Sequence, residues 1–402
     1  MIGSSRRIAL ALGLAAVALS AAPARAQKAT GPEIKVGGIF DLTGITSDVG
    51  KPFAQGVRDG VAWLNENGGV NGKRIRLIDV DYGYKIPEAV SAYKRMLGDE
   101  KVVMISGWGT GDTEAMKDFV NRDKIPYFSA SFSGHLTNPA KTPYNFFVPP
   151  SYSDALRAWL MWVKEDWKDK TRNPRVAFFY GDNAYGKSPI EAGRRFAKEI
   201  GVDLVDEEIL PGGFQDATSQ LLNMRKKGAE YAYINVTTTG VSIVLRDAKK
   251  LGLSTKFGSN PYGFSEQLPR VAGDVAEGVT GVVPHVPFGL DVPGMKRLVD
   301  FHNANHPGDA HDAMYVRGWA TFLVWAEALK RADKAGALNG EGIRKAAETL
   351  KDFDLGGLAE PVTYTATDHR PTTKTPIFQV QKGKLVKVGE YEMPRKPEWL
   401  GL

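Results

Sequence analysis

Three short runs rich in glycine and hydroxylated residues stand where an apolar, strand-like segment gives way to an amphipathic, helix-like one. These are the places where the chain has chemistry to offer. The first is Asp41-Leu-Thr-Gly-Ile-Thr-Ser-Asp-Val-Gly50. The second is Gly107-Trp-Gly-Thr-Gly-Asp-Thr113, where glycines allow close backbone approach, Thr110 adds a hydroxyl and Trp108 a ring. A helix N-terminus there presents unpaired N–H groups and partial positive charge, which suits an anion. Asp112 and Glu114 read as acids of the first helical turn, and an acid used as a cap competes with a bound anion. The third run is Ser129-Ala-Ser-Phe-Ser-Gly134, in which Ser131 and Ser133 can each offer a hydroxyl and an N–H, with Phe132 between them.

The second half of the chain repeats the arrangement. Gly181-Asp-Asn-Ala-Tyr-Gly186 follows a strand and opens a helix, with Tyr185 placed to cover a ligand. Asn235-Val-Thr-Thr-Thr-Gly240, with Asn235 and Thr237, and Ser259-Asn-Pro-Tyr-Gly263, with Tyr262, hold the matching ends of later strands.

Catalytic patterns do not assemble from these residues. There is no cysteine, which excludes thiol nucleophiles and thiolate metal sites. His302 and His306 have i, i+4 spacing, but Pro307 follows at once and no acid lies between them, so neither metal nor cofactor is expected. Ser131 and Ser133 lack the glycine-flanked elbow of a nucleophile. The glycines of 107–111 lack the spacing, and the acidic partner about 20 residues on, of a dinucleotide fingerprint.

Strand and helix patterns alternate to position these loops. Strands at 34–40, 74–80, 102–106 and 127–130 enclose helices at 52–65, 87–97 and 113–122. After a proline-bearing passage at 145–150 the alternation resumes, with helices at 155–167, 188–200, 216–227 and 241–251 between strands at 175–179, 202–209, 231–235 and 256–259. That rhythm specifies parallel sheets covered on both faces by helices. The remainder, a strand-like crossing at 278–284, helices at 293–305, 310–332 and 340–350, then short strands at 362–364, 377–381 and 385–391, is too poor in strands for a third unit. The expected fold is α/β, with two Rossmann-like doubly wound lobes joined by three crossovers. One lobe takes residues 27–149 and 285–356, the other 150–284 and 357–402.

The N-terminus differs in kind. Arg6 and Arg7 precede an apolar run at 8–22, and Ala24-Arg25-Ala26 places small residues around a larger one: the order of a secretory signal peptide cleaved after Ala26. The run is shorter than the ~20 residues of a membrane-spanning helix. The charge of +6 falls to about +3 without Arg6, Arg7 and Arg25, and it is spread along the chain, which gives no nucleic-acid surface. The expected product is a monomer free in the periplasm of a double-membraned bacterium.

Ile34-Lys-Val-Gly-Gly-Ile-Phe-Asp-Leu-Thr-Gly44, Ala62-Trp-Leu-Asn-Glu-Asn-Gly-Gly-Val-Asn-Gly72, Ile125-Pro-Tyr-Phe-Ser129 and Tyr180-Gly-Asp-Asn-Ala-Tyr-Gly186 together resemble type I periplasmic binding proteins of the branched-chain amino-acid class. The resemblance runs from about Glu33 to Glu390. It implies a non-enzymatic, substrate-binding subunit that closes on a small molecule and delivers it to an inner-membrane ABC permease. It also implies a carboxylate held by Thr110, Ser131 and Ser133 under an aromatic lid at Tyr185. One departure stands out: relatives that bind amino acids usually present an acid to the ammonium from the loop corresponding to 259–263, where this chain has Asn260-Pro261-Tyr262. A buried ammonium without a counter-charge is costly. The expected ligand is therefore an aromatic or other non-amino carboxylic acid, its ring between Tyr185 and Tyr262 and near Trp108 and Phe132. The alternatives are an amino acid or amide receptor, with Asp112 turned inward as the ammonium partner, or a ligand-sensing subunit of a signalling system. A nucleotide-dependent enzyme is the third class, disfavoured by the leader and the missing fingerprint.

Overall fold

The computed structural model describes residues 28–309 and 312–402, so the leader expected at 1–26 lies outside the described residues. The alternating pattern becomes two sheets. The first is parallel throughout and runs β2-β1-β3-β4-β5, with β1 Gly31–Phe40, β2 Lys73–Asp81, β3 Ile105–Gly107, β4 Tyr127–Ser129 and β5 Asn145–Phe146. The second runs β12-β11-β10-β9-β8-β6-β7. Its parallel strands are β6 Arg175–Gly181, β7 Asp203–Leu210, β8 Tyr231–Asn235, β9 Lys256–Ser259 and β10 Thr280–Val282. β11 Lys374–Gln381 and β12 Lys384–Glu392 add an antiparallel edge. With those two set aside, each sheet has the doubly wound order 2-1-3-4-5, whose ligand crevice lies beyond the carboxyl ends of its first and third strands.

Strand periodicity shows why helices cover both faces of the second sheet. Val176, Phe178 and Tyr180 of β6, with Tyr231 and Tyr233 of β8, pack among residues of α4 Tyr152–Asp166 and α6 Ile190–Ile200. The intervening Ala177, Phe179, Ala232 and Ile234 pack on the opposite face with α7 Thr218–Lys227 and α8 Thr238–Lys250. Successive side chains alternate faces, and both sets are apolar, so neither face tolerates water.

In the first half, α1 Ser47–Glu66 lies against α11 Ala313–Lys334. A Cβ on Gly56 would come 2.2 Å from the Tyr315 carbonyl oxygen, and one on Gly318 2.0 Å from that of Phe53. Only glycine permits this approach. The proline at position 52 does not start α1; the helix begins five residues earlier at Ser47 and carries Pro52 inside it. α10 Met295–Asn305, α11 and α12 Gly340–Ala347 contribute Leu298, Trp319 and Ile343 to the first core, as do Leu358, Val362 and Tyr364. Val362 forms only an isolated bridge with Phe353 instead of the strand expected at 362–364. The chain therefore passes between its halves three times: after β5, after β10 and before β11. Among the described residues, no helix is long and apolar enough to cross a membrane.

Candidate functional site

The switch-point loops of the two sheets face each other across the cleft. In the first half, Asp41 is fully buried and acts as an acceptor hub. Its Oδ1 accepts from Gly44 N (2.6 Å), and its Oδ2 accepts from Thr46 N (3.0 Å) and Thr46 Oγ1 (2.6 Å). Thr46 in turn accepts the Trp108 indole N–H at 2.9 Å, which fixes that ring against the cleft. Thr110 opens α3 (Thr110–Asp123) and accepts from Ser131 Oγ at 2.9 Å. Accepting through its oxygen leaves the Thr110 hydroxyl proton for another partner.

In the second half the hub is Asn260, also fully buried. Its Oδ1 accepts from Tyr185 OH (2.6 Å) and Tyr262 N (2.7 Å), and its Nδ2 donates to the Val236 carbonyl (2.8 Å). One amide thus orients both tyrosines. Asn235 donates to the carbonyls of Tyr185 and Gly186 at 3.0 and 2.9 Å, holding the turn of α5 (Ala184–Lys187) beneath the Tyr185 ring. Burial pushes the Tyr185 and Tyr262 phenols up, so both remain neutral donors.

These loops enclose a cavity of about 20 Å³, room for roughly one water. From the first half it is lined by Thr46, Val49, Tyr84, Trp108, Gly109, Thr110 and Ala130; Tyr152, Tyr185, Thr237 and Tyr262 close it from the other side. None of these side chains is formally charged. Tyr262 is the central plug: it stacks on Phe132 at 5.1 Å and meets Trp108 edge-on at 5.5 Å, and its OH donates to the Ala130 carbonyl across the cleft at 2.5 Å. Ser188 to Ser133 (3.0 Å) and Thr239 to Asp48 (2.9 Å) complete a row of bonds between the halves. The lobes are closed upon each other, and a ligand larger than water must part them or displace Tyr262.

Of the residues expected from sequence, Trp108, Thr110, Tyr185, Thr237 and Tyr262 meet at this cavity. Ser131, Phe132 and Asn235 stand one layer behind, supporting Thr110, Tyr262 and Tyr185. Ser133 is directed elsewhere. Its hydroxyl donates to Glu114 Oε1 at 2.7 Å, and Glu114 also pairs with His135 at 3.0 Å. Burial raises the Glu114 pKa, but the hydrogen bonds from His135 and Ser133 outweigh it and leave the carboxyl below its ordinary value. Nor does a ligand ring fit between Tyr185 and Tyr262, whose centroids are 6.0 Å apart and nearly perpendicular; a ring between two stacked faces needs about 7 Å.

Asp112 is turned inward at the start of α3. It is buried, its Oδ1 accepts from Tyr82 OH at 2.8 Å, and its Oδ2 has no hydrogen-bond partner. Burial pushes its carboxyl up to about 7. The carboxylate lies directly behind the cavity wall, since a Cβ on Gly109 would meet Asp112 Oδ1 at 2.2 Å.

Tyr84, Tyr152, Asn260 and Arg317 went unrecognised as site residues. Arg317 is a lone charge in the apolar run 313–326, which was a readable signal. Its guanidinium lies 4.3 Å from the Tyr262 ring centroid and donates to the Pro261 carbonyl at 3.0 Å, bracing the plug from α11. Tyr152 follows the first interlobe passage and opens α4; its ring contacts with Tyr185 in the same half (5.3 Å) and with Phe132 across the cleft (5.3 Å) are set only by the tertiary structure.

Comparison with known proteins agrees with this geometry. Over 392 residues the chain is 22% identical to "Leu/Ile/Val-binding protein homolog 7" of Brucella abortus (strain 2308), covering 94% of this chain and 95% of that protein. Two solved structures share the fold. One is a branched-chain amino acid ABC transporter protein from Thermus thermophilus with bound valine (TM-score 0.84, 24% identity, 90% of this chain and 97% of that one). The other is a fatty acid ABC transporter substrate-binding protein from Thermomonospora curvata (TM-score 0.82, 23% identity, 91% and 94%). Residues 33–384 match the family described as "Periplasmic binding protein". With two facing switch points, three passages between halves and that match across most of its length, the chain belongs to the periplasmic binding protein family.

Proposed function

We propose that this protein is the periplasmic, monomeric substrate-binding subunit of an ABC uptake transporter, closing on a small monocarboxylate that lacks an α-ammonium group. The carrying observation is the cleft's chemistry: threonines and aromatic rings from both lobes, and no charged side chain on its surface. The carboxylate would meet the Thr110 hydroxyl and the N-terminus of α3, where unpaired N–H groups favour an anion. Tyr185, Tyr262 and Trp108 offer faces and edges to an apolar or aromatic body, each ring contact contributing ~0.5–1.5 kcal/mol beyond burial. Delivery to a permease is suggested by membership of the periplasmic binding protein family and by the fold shared with proteins described as parts of ABC transporters.

A second reading has one observation in its favour. Asp112 has a buried oxygen without a partner behind Gly109, and a rearrangement of Gly109 would bring it to a ligand's ammonium. The neighbour with bound valine belongs to that class. Isothermal calorimetry decides between the two readings. Benzoate, cinnamate and short aliphatic acids are expected to bind with unit stoichiometry while leucine and valine do not. Binding of the amino acids alone would reverse the assignment.

A further inference from the structure

Beside the aromatic cavity lies a second, larger space, most of whose wall the proposed function does not use. It has a volume of about 220 Å³ and is lined by Ile45, Leu210, Phe214, Val236 and Ile243, with backbone from the glycines at 212 and 213. Ile45, in its lining, is 62% exposed. The two spaces share Thr46, Tyr185 and Thr237 as a common wall. Thr46 comes from the first lobe and Thr237 from the second, so this shared wall is split between the lobes and would part with them.

Building on the carboxylate reading, we infer that the ligand is an elongated monocarboxylic acid, its head in the aromatic cavity and its uncharged tail in this groove. Three features specify the tail. No charged side chain lines the groove. Gly240 keeps the start of α8 clear of its neighbours, since a Cβ there would stand 2.7 Å from Val236 Cγ2 and 3.3 Å from Phe214 Cε1. The N-terminus of α8, a place in the groove's wall that would attract an anion, already faces Asp48, whose Oδ2 accepts from Thr239 Oγ1 at 2.9 Å. A second carboxylate there would be repelled, which disfavours dicarboxylates.

The test is calorimetry of the full mature chain with n-alkanoates from butanoate to decanoate. Burial of each added methylene is expected to tighten binding about fourfold until the groove is filled. Phe214→Asp and Ile45→Asp each place a charge in the groove, and Ile45, being exposed, can be changed without threatening the fold. Both are expected to weaken decanoate at least tenfold more than butanoate. Short acids that bind with an affinity independent of chain length would overturn the inference and leave the proposed function intact. A chain-length slope that persists in both variants would overturn it as well. Failure of every acid, with binding of amino acids, would remove the carboxylate reading and this inference together.

Discussion

Asp112 provides the sharpest test of the geometry behind the cleft. Its carboxyl is pushed from an ordinary 3.8 up to about 7, chiefly by burial, and only one of its oxygens is hydrogen-bonded. Between those two values the folded protein holds a proton that the unfolded chain releases, so stability falls as pH rises. The stabilising protonated form is fully present below about 3.8 and is lost as pH rises through about 7. A shift of about 3 units corresponds to roughly 4 kcal/mol. In Asp112→Asn the amide oxygen still accepts from Tyr82, while the amide nitrogen is a buried donor without an acceptor, at a cost of about 1–3 kcal/mol. At pH 8 the variant is therefore expected to be more stable than the parent by about 1–3 kcal/mol, and at pH 4 less stable by about the same amount, with the curves crossing near pH 4.5–6. Glu266, also pushed up to about 7 by burial, contributes equally to both proteins and cancels. Urea-unfolding free energies measured from pH 4 to 8 give the difference directly. Parallel curves that never cross would refute the argument, because they would mean that Asp112 ionises in the folded protein as it does in water.

Other expectations follow from the cross-cleft bonds. Tyr262→Phe keeps the ring stack on Phe132 but loses the bond to the Ala130 carbonyl; at about 1 kcal/mol the closed-to-open ratio should fall about fivefold, read by single-molecule energy transfer between labels on the two lobes. An unchanged ratio would show that this bond does not hold the lobes. Asn260→Ala strips the acceptor from the buried Tyr185 hydroxyl and releases Tyr262. A stability loss of about 1–3 kcal/mol is expected, with ligand affinity down at least tenfold by calorimetry; full affinity would mean that the rings orient themselves. Ser133→Ala should change ligand affinity by less than about 1 kcal/mol, since its hydroxyl serves Glu114 and Ser188 rather than the cavity. A loss above 2 kcal/mol would return Ser133 to the ligand. Gly109→Ala drives a methyl into Asp112 and Tyr82 and should cost about 1–3 kcal/mol in stability, whereas tolerance in a thermal melt would show that this wall yields.

Much of this protein was legible one segment at a time. Alternating strands and helices follow from local periodicity, and a doubly wound sheet makes the strand-end loops the site. The loops bearing Thr46, Trp108, Thr110, Tyr185, Thr237 and Tyr262 could therefore be located by position alone. The function of each hydroxyl and carboxyl within them was not local. Ser131 and Ser133 are two residues apart in one loop, yet Ser131 supports Thr110 whereas Ser133 bonds Glu114 and Ser188. Asp112 and Asp48 both sit in first helical turns, but Asp112 is buried against Tyr82 while Asp48 reaches across to Thr239. Tyr152 and Arg317 reach the cleft from segments 33 and 55 residues away in sequence from Tyr185 and Tyr262 (185 − 152 and 317 − 262). A periodic apolar pattern specifies an element because burial depends on which face a residue occupies. A polar side chain's partner depends on which surfaces the folded lobes bring within about 3 Å, and only the tertiary structure decides that.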